Sequence, residues 1–219
     1  MRNLLIIIGL ILLPGFTSAE VIVSFPFSAN TNPAVQASNV DSASYDGSNL
    51  TLSYIGDDGF GNVLQAYPSY GAKNYLTAVS YNSYFTITIT PVSGQSITLT
   101  QLRFEVGKGG SSDPRGFFVR SSIDGFNADL LSETLPSGNY APPVEKIITL
   151  NGYTNLTTPL QFRFYVYTPN AYGNSVDFRN LNFEYTTPIP IPTLSEWAQI
   201  LLVLSLMGMA GWYRRRRAS

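Results

Sequence analysis

The chain has 219 residues, of which 44% are hydrophobic and 12% charged, with 14 acidic against 13 basic side chains and a formal net charge of −1. It contains no cysteine and no histidine, which excludes disulfide staples, thiol nucleophiles, Cys or His metal ligands, and every triad or dyad whose base is histidine. The charge is unevenly placed, because Arg2 and Arg214 to Arg217 lie near the ends; residues 20–187 hold eight cations against thirteen acids, and a mildly acidic body without clustered Lys and Arg does not suit nucleic acid.

Residues 1–19 carry one early cation, Arg2, an apolar run from Leu4 to Leu13, a Pro14-Gly15 break, and small side chains at Thr17 and Ala19. This order predicts a secretory signal peptide cleaved after Ala19, since the apolar run is too short to span a bilayer. The interval 20–187 is then long enough to bury roughly 70% of the surface that its unfolded chain exposes, and it predicts one domain.

Within that domain the elements read as short strands. Val21 to Phe27 predicts a strand in which Pro26 is tolerable at an edge. Ser28 to Asn49 is rich in Ser, Asn, Ala and Asp and predicts a long surface connection. Leu50 to Ile55 alternates, and Asp57-Asp58-Gly59 supplies a turn. Tyr67 to Tyr84 is dense in tyrosine, Gly, Ser and Asn. In Phe85 to Thr90, Phe85, Ile87 and Ile89 face one side while Thr86, Thr88 and Thr90 face the other, which predicts a strand buried on one face. Ile97 and Leu99 are out of phase with Leu102, Phe104 and Val106, so one residue must be absorbed near Thr100-Gln101 by a bulge or a change of sheet. Further strands are predicted at Phe117–Ser122, before a turn at Asp124-Gly125, at Lys146–Leu150, at Leu160–Tyr167, and at Val176–Tyr185 with a phase shift at Asn180. Eight or nine such strands and no helical periodicity predict an all-β fold, an antiparallel β-sandwich of jelly-roll type.

The chemistry available to this domain is narrow. G-x-S-x-G is absent, and none of Lys73, Lys108 or Lys146 stands three residues after a serine, so the common serine-hydrolase spacings fail. A pair of carboxylates is the remaining route to a glycosidase, but thirteen scattered acids supply close pairs by chance, and no enzyme is expected. Asp57, Asp58 and Asn62, or Asp113 and Asp124, have the oxygens for a structural calcium ion; ordinary Asp-Gly turns explain the same residues, and no cofactor or metal site is assigned. The tyrosines could stack on sugar rings, and a coplanar exposed pair would be the mark of such a platform; cross-strand packing is the plainer reading of each.

The last segment, 188–219, has three parts in order. The motif Ile191-Pro192-Thr193-Leu194, with Trp197, precedes an apolar run from about Ala198 to Tyr213, and Arg214, Arg215, Arg216 and Arg217 follow. As a helix the run is about 24 Å long, at the short edge of what spans a core of roughly 30 Å. Six aliphatic residues between Ile200 and Leu206 favour insertion by only about 2 to 4 kcal/mol in total. The predicted transmembrane helix is a marginal anchor, and the arginines hold its end on the cytoplasmic side.

This arrangement closely resembles the IPTL-CTERM class of bacterial sorting signals, relatives of the PEP-CTERM signals. The family usually has Gly after the Trp, where this chain has Ala198. The resemblance implies a transient membrane partner, an exosortase, that recognises the tail, cleaves near the motif and passes the ectodomain to the cell surface. The run Phe85 to Phe126 and the closing VDFRNLNFEY are similar to the β-sandwich ectodomains common in PEP-CTERM-type surface proteins, a likeness of structural motifs from which no activity follows. The expected protein is therefore exported, membrane-anchored through its C-terminal helix before processing, and then displayed at the cell surface or released into the matrix. A non-catalytic structural or adhesive role is the first expectation. A carbohydrate-binding module acting on extracellular polysaccharide is the alternative, and a glycoside-active enzyme stands behind both.

Overall fold

Side chains alternate across a pleated strand, so a run such as YFTITITP sorts itself into an apolar face and a threonine face without further instruction. In the computed structural model, which describes residues 17–27, 33–48, 50–68, 81–110, 115–135, 142–168, 174–188, 201 and 205, these runs become β1 Thr17–Phe25, β2 Val35–Gln36, β3 Val40–Ser48, β4 Leu50–Asp57, β5 Asn62–Pro68, β6 Tyr84–Pro91, β7 Gln101–Gly109, β8 Arg115–Ser121, β9 Leu131–Leu135, β10 Val144–Thr149, β11 Leu160–Tyr167 and β12 Ser175–Pro188. The chain divides into two units, Ala19–Thr186 and a second made of Met1–Ser18 with Thr187–Ser219. The first holds the β-structure, apart from the outermost two residues of β1 and β12.

The strands form two antiparallel sheets. One runs β10-β7-β12-β1-β2, with β5 also beside β12 and β4 beyond β5; the other runs β3-β6-β11-β8-β9. The chain crosses between them repeatedly, at β2 to β3, β3 to β4, β5 to β6, β6 to β7, β7 to β8, β9 to β10, β10 to β11 and β11 to β12. The alternating faces meet in one core. Phe85 of β6 lies parallel to Phe164 of β11 at 4.6 Å, and both meet Phe178 of β12 edge-on, at 5.2 and 5.5 Å. Phe104 of β7 contacts Phe117 of β8 and Phe164 in the same manner. Each of these rings is fully buried, and burying a ring of this size contributes about 2–3 kcal/mol of transfer free energy.

The two predicted phase shifts have distinct causes. Before β7, Ile97 bridges Leu156 and the Leu99 amide donates to the Tyr153 carbonyl, whereas from Gln101 onward the chain pairs with β10 and β12. The slip at Thr100 is thus a change of partners, and it keeps Ile97, Leu99, Leu102 and Phe104 all buried. In β12 the register shifts between Arg179 and Asn182 with Asn180 at φ 47°, a bulge in which asparagine takes the left-handed conformation it tolerates better than most residues. Leu181 and Phe183 stay in the core as a result.

One expectation needs correction. The stretch Ser28–Asn49 is not simply a surface connection, since Val40–Ser48 forms β3 and pairs with β6 from Val40↔Pro91 to Ser48↔Tyr84. Its small polar residues carry little strand signal of their own; the regular ladder of β6 supplies the partner, and Val40 and Ala43 reach the core. Tyr165 and Tyr167, on the face of β11 opposite Phe164, are also buried, at 3% and 9% exposure, because this second face has aromatic cover of its own. Strands β5 and β9 carry pairings that the sequence reading did not assign.

Residues 1–16, most of the tyrosine-dense stretch 69–80, and the motif 191–197 lie outside the described residues. So do Arg214 to Arg217 and the apolar run 198–213, save Leu201 and Ser205, which are helical. Among the described residues no helix is long and apolar enough to cross a membrane.

Candidate functional site

The outward face of the second sheet carries a cluster that the period of two puts together. Register pairs Tyr165 of β11 with Phe118 of β8 on one side and Tyr84 of β6 on the other, and the next outward row pairs Arg163 with Arg120 and Thr86. An aromatic row thus lies beside a row containing two arginines. Phe118 and Tyr165 stack at 4.5 Å with planes 4° apart, Tyr84 tilts against Tyr165 at 5.1 Å, and Tyr81 meets Phe118 and Tyr165 edge-on. Tyr167 lies over Gly116, where any Cβ would collide with its ring and hydroxyl and with the Glu133 carbonyl.

Two arginines paired across strands would repel, but each is drawn elsewhere. Arg120 donates from Nε to Asp129 Oδ1 at 2.6 Å and from Nη1 to the Phe126 carbonyl at 3.0 Å, and its guanidinium sits 4.9 Å from the Tyr81 ring and 5.1 Å from that of Phe118. Burial alone would lower its proton affinity, but Asp129 and Tyr81 outweigh that and hold it above its usual value. Arg163 lies 3.7 Å from the Phe126 ring centre and 4.5 Å from that of Tyr84, a cation–π geometry at both faces. Phe126 is placed by the turn after β8: Gly125 is left-handed, Phe126 follows at φ 63°, and the Phe126 amide donates to Ser121 O. The result is a continuous chain of stacked rings and guanidinium groups. Tyr81, at 56% exposure, is its most open ring.

The outward face of the first sheet carries a polar counterpart. Asp177 of β12 lies opposite Gln65 and Gly107. Its Oδ1 accepts from Ser175 Oγ at 2.5 Å and Gln65 Nε2 at 3.4 Å. Burial pushes its carboxyl above the ordinary value, only partly countered by Ser175, Arg179 and Gln65. Arg179 pairs with Asp58, and the fully buried Arg115 donates to the carbonyls of Ser175, at 2.7 Å, and Gly109. These groups mostly satisfy one another and tie the end of β12 to the β4–β5 turn and to β7.

Most of the described oxygens considered for calcium accept hydrogen bonds from the protein. Asp57 Oδ1 accepts from the amides of Gly59 and Gly61 at 2.8 and 2.9 Å, which hold its carboxyl below the usual value. Asp58 serves Phe60 N and Arg179, Asn62 Oδ1 accepts from Tyr54 Oη, and Asp124 caps Asn127 N and Ala128 N. Asp113 lies outside the described residues. Ala19, the expected cleavage residue, falls within β1. Phe118 and Tyr165 stack face to face and are 4% and 3% exposed, so they are not the coplanar exposed pair sought as a sugar platform. The part of Arg120, Arg163, Phe118 and Phe126 was not picked out in the sequence, although Phe118/Arg120 and Arg163/Tyr165 repeat one two-residue spacing on strands that turn out to be neighbours.

These observations define an all-β protein of two antiparallel sheets, with a stacked cluster of rings and arginines on one outward face and a hydrogen-bonded and ion-paired cluster on the other. The IPTL-CTERM motif matches residues 189–217, so the chain carries a C-terminal sorting signal of that kind. No curated protein matches the chain. Among solved structures, a family 29 carbohydrate-binding module is 17% identical, covering 80% of this chain and 100% of that one at a TM-score of 0.36. The K3 cleaved adhesin domain of Lys-gingipain from Porphyromonas gingivalis w83 is 13% identical, covering 76% and 99% at a TM-score of 0.43. Nothing about a ligand follows from likeness at this level.

Proposed function

We propose that this is an exported, non-catalytic surface or matrix protein, whose β-sandwich is the cargo and whose C-terminal segment is its address. The observation that carries the reading is the IPTL-CTERM match over residues 189–217, directly after a sheet-built unit that ends at Thr186. In this reading residues 1–19 direct export and Ala198–Tyr213 halts in the membrane. Arg214 to Arg217 stay inside, an exosortase acts near Ile191–Trp197, and the β-sandwich passes to the surface. A structural or adhesive role is supported by the absence of Cys and His from the chain and by titratable groups such as Asp177 and Arg120 being engaged with neighbouring side chains. The test is a transfer experiment: residues 188–219 fused behind an exported reporter should deliver it to the surface in a bacterium that has an exosortase and leave it in the membrane in one that lacks it. Equal delivery in both hosts would refute the assignment.

A second reading, carbohydrate binding, rests on Tyr81, an exposed ring held on a rigid aromatic and arginine base. Glycan-array binding lost in Tyr81→Ala would favour it; an array without signal for the folded wild-type chain would remove it.

A further inference from the structure

Of the described arginines, Arg163 is held differently from the rest. Arg103 pairs with Glu145 and Glu184, Arg120 with Asp129 and Arg179 with Asp58, while the buried Arg115 donates to carbonyls. Arg163 reaches no carboxylate or carbonyl among the described residues: Phe126 and Tyr84 lie against its guanidinium, and its Nε is buried without a hydrogen-bond partner. A guanidinium carries its N–H donors in one plane, so ring contacts orient that plane and leave the in-plane donors unused. The side chain is half-buried. Close to it lies the exposed Tyr81, set over Arg120, which pairs in register with Arg163. The other exposed rings among the described residues, Tyr54 and Phe60, stand on the β4–β5 hairpin with Asp57 and Asp58.

We propose that this face binds a carboxylate-bearing polysaccharide, with a sugar ring stacked on Tyr81 and a uronate carboxylate on the in-plane donors of Arg163. The inference rests on the carbohydrate-binding reading above and adds the class of sugar. Charge sets that class, because the N–H fork of an oriented guanidinium matches the two oxygens of a carboxylate. The protein's own acids near this face are engaged elsewhere: Asp129 holds Arg120, Asp124 accepts from Asn127 N and Ala128 N, and Asp46, beyond Thr86 in the same outward row, accepts from Gly47 N. Residues 20–187 hold thirteen acids against eight cations, so a densely charged polyanion is repelled and the fitting chain has uronates spaced among neutral sugars. An acidic peptide fits less well. Strands β6, β11 and β8 are interior to their sheet, so this face offers no free edge for main-chain pairing, whereas an exposed ring suits the flat side of a sugar.

The test is affinity electrophoresis of the purified full chain in detergent, through gels containing bacterial polysaccharides whose glucuronate, galacturonate or mannuronate is spaced among neutral sugars, each run beside its carboxyl-reduced form. At least one native polymer should retard the chain with an affinity about tenfold above that of its reduced form, the difference expected of a charge-assisted contact. Arg163→Gln should lose a similar factor on the native polymer and little on the reduced one, with far-ultraviolet circular dichroism unchanged; the comparison of native with reduced polymer uses the wild-type chain and stands even if that variant folds poorly. Tyr81→Ala should weaken both. Equal retardation by native and reduced polymers, lost in Tyr81→Ala, overturns the inference and leaves the carbohydrate reading standing. Retardation by none of them also overturns it, and the glycan array then decides whether the broader reading falls as well. Polyglutamate that displaces the polysaccharide and binds Tyr81→Ala as tightly as the wild type overturns it in favour of an acidic peptide.

Discussion

Phe164→Ala is the sharpest probe of how the sheets hold together. The ring is fully buried, stacks on Phe85 at 4.6 Å, and meets Phe104 and Phe178 edge-on at 5.5 Å each. Its removal takes away the transfer free energy of a large ring and three ring contacts and leaves a cavity whose walls, built from both sheets, cannot all collapse; the cost is about 3–5 kcal/mol. Against a total of roughly 5–15 kcal/mol, and with urea slopes near 2–3 kcal/mol per molar for a domain of this size, the midpoint should fall by about 1–2 M. Thr88→Ala is the matched control. Thr88 lies on the outward face of β6 between Ser44 and Gln161, and its loss costs under about 1 kcal/mol, chiefly β-propensity. Urea unfolding of the chain over residues 19–186, followed by tryptophan-free near-ultraviolet circular dichroism, measures both. Equal midpoints for the two variants would refute the assignment of inner and outer faces.

Gly116→Ala places a methyl group against Tyr167 and the Glu133 carbonyl; thermal unfolding should report a loss of about 1–3 kcal/mol, and an unchanged melting temperature would contradict the close packing described for that face. Asp177 has a raised carboxyl value, so the folded state prefers it protonated: its contribution is fully present below the ordinary carboxylate value and is lost as pH rises through the raised one. Asp177→Asn should therefore raise the urea midpoint relative to wild type at about pH 7, with the gain shrinking toward about pH 4, and a loss of stability that is the same at both would contradict the burial argument. The chain's lack of cysteine predicts that no unfolding midpoint depends on dithiothreitol.

Much of the fold was legible where one physical rule dominated. Leu160–Tyr167 and Phe85–Thr90 alternate so cleanly that composition alone fixes their core faces, and the phase breaks at Thr100 and Asn180 mark a change of partners and a left-handed bulge. β3 was not legible, because Ser, Ala and Asp at a sheet edge form a strand only when β6 offers its ladder. The outward faces were half legible. Alternation placed Tyr165 opposite Phe164 but could not say that Phe118 would lie across from it, since register between strands distant in sequence is a tertiary property. The same limit hid the Arg120–Asp129 pair, although the turn that carries Phe126 was visible as Asp124-Gly125.

The claim that the tail is an address is tested most directly by reversing its charge. The full chain with Arg214 to Arg217 all replaced by Glu, expressed in a bacterium that has an exosortase, should keep its β-sandwich folded yet lose surface delivery, read by protease accessibility on intact cells and by the size of the processed product. Delivery and processing equal to wild type would contradict the account.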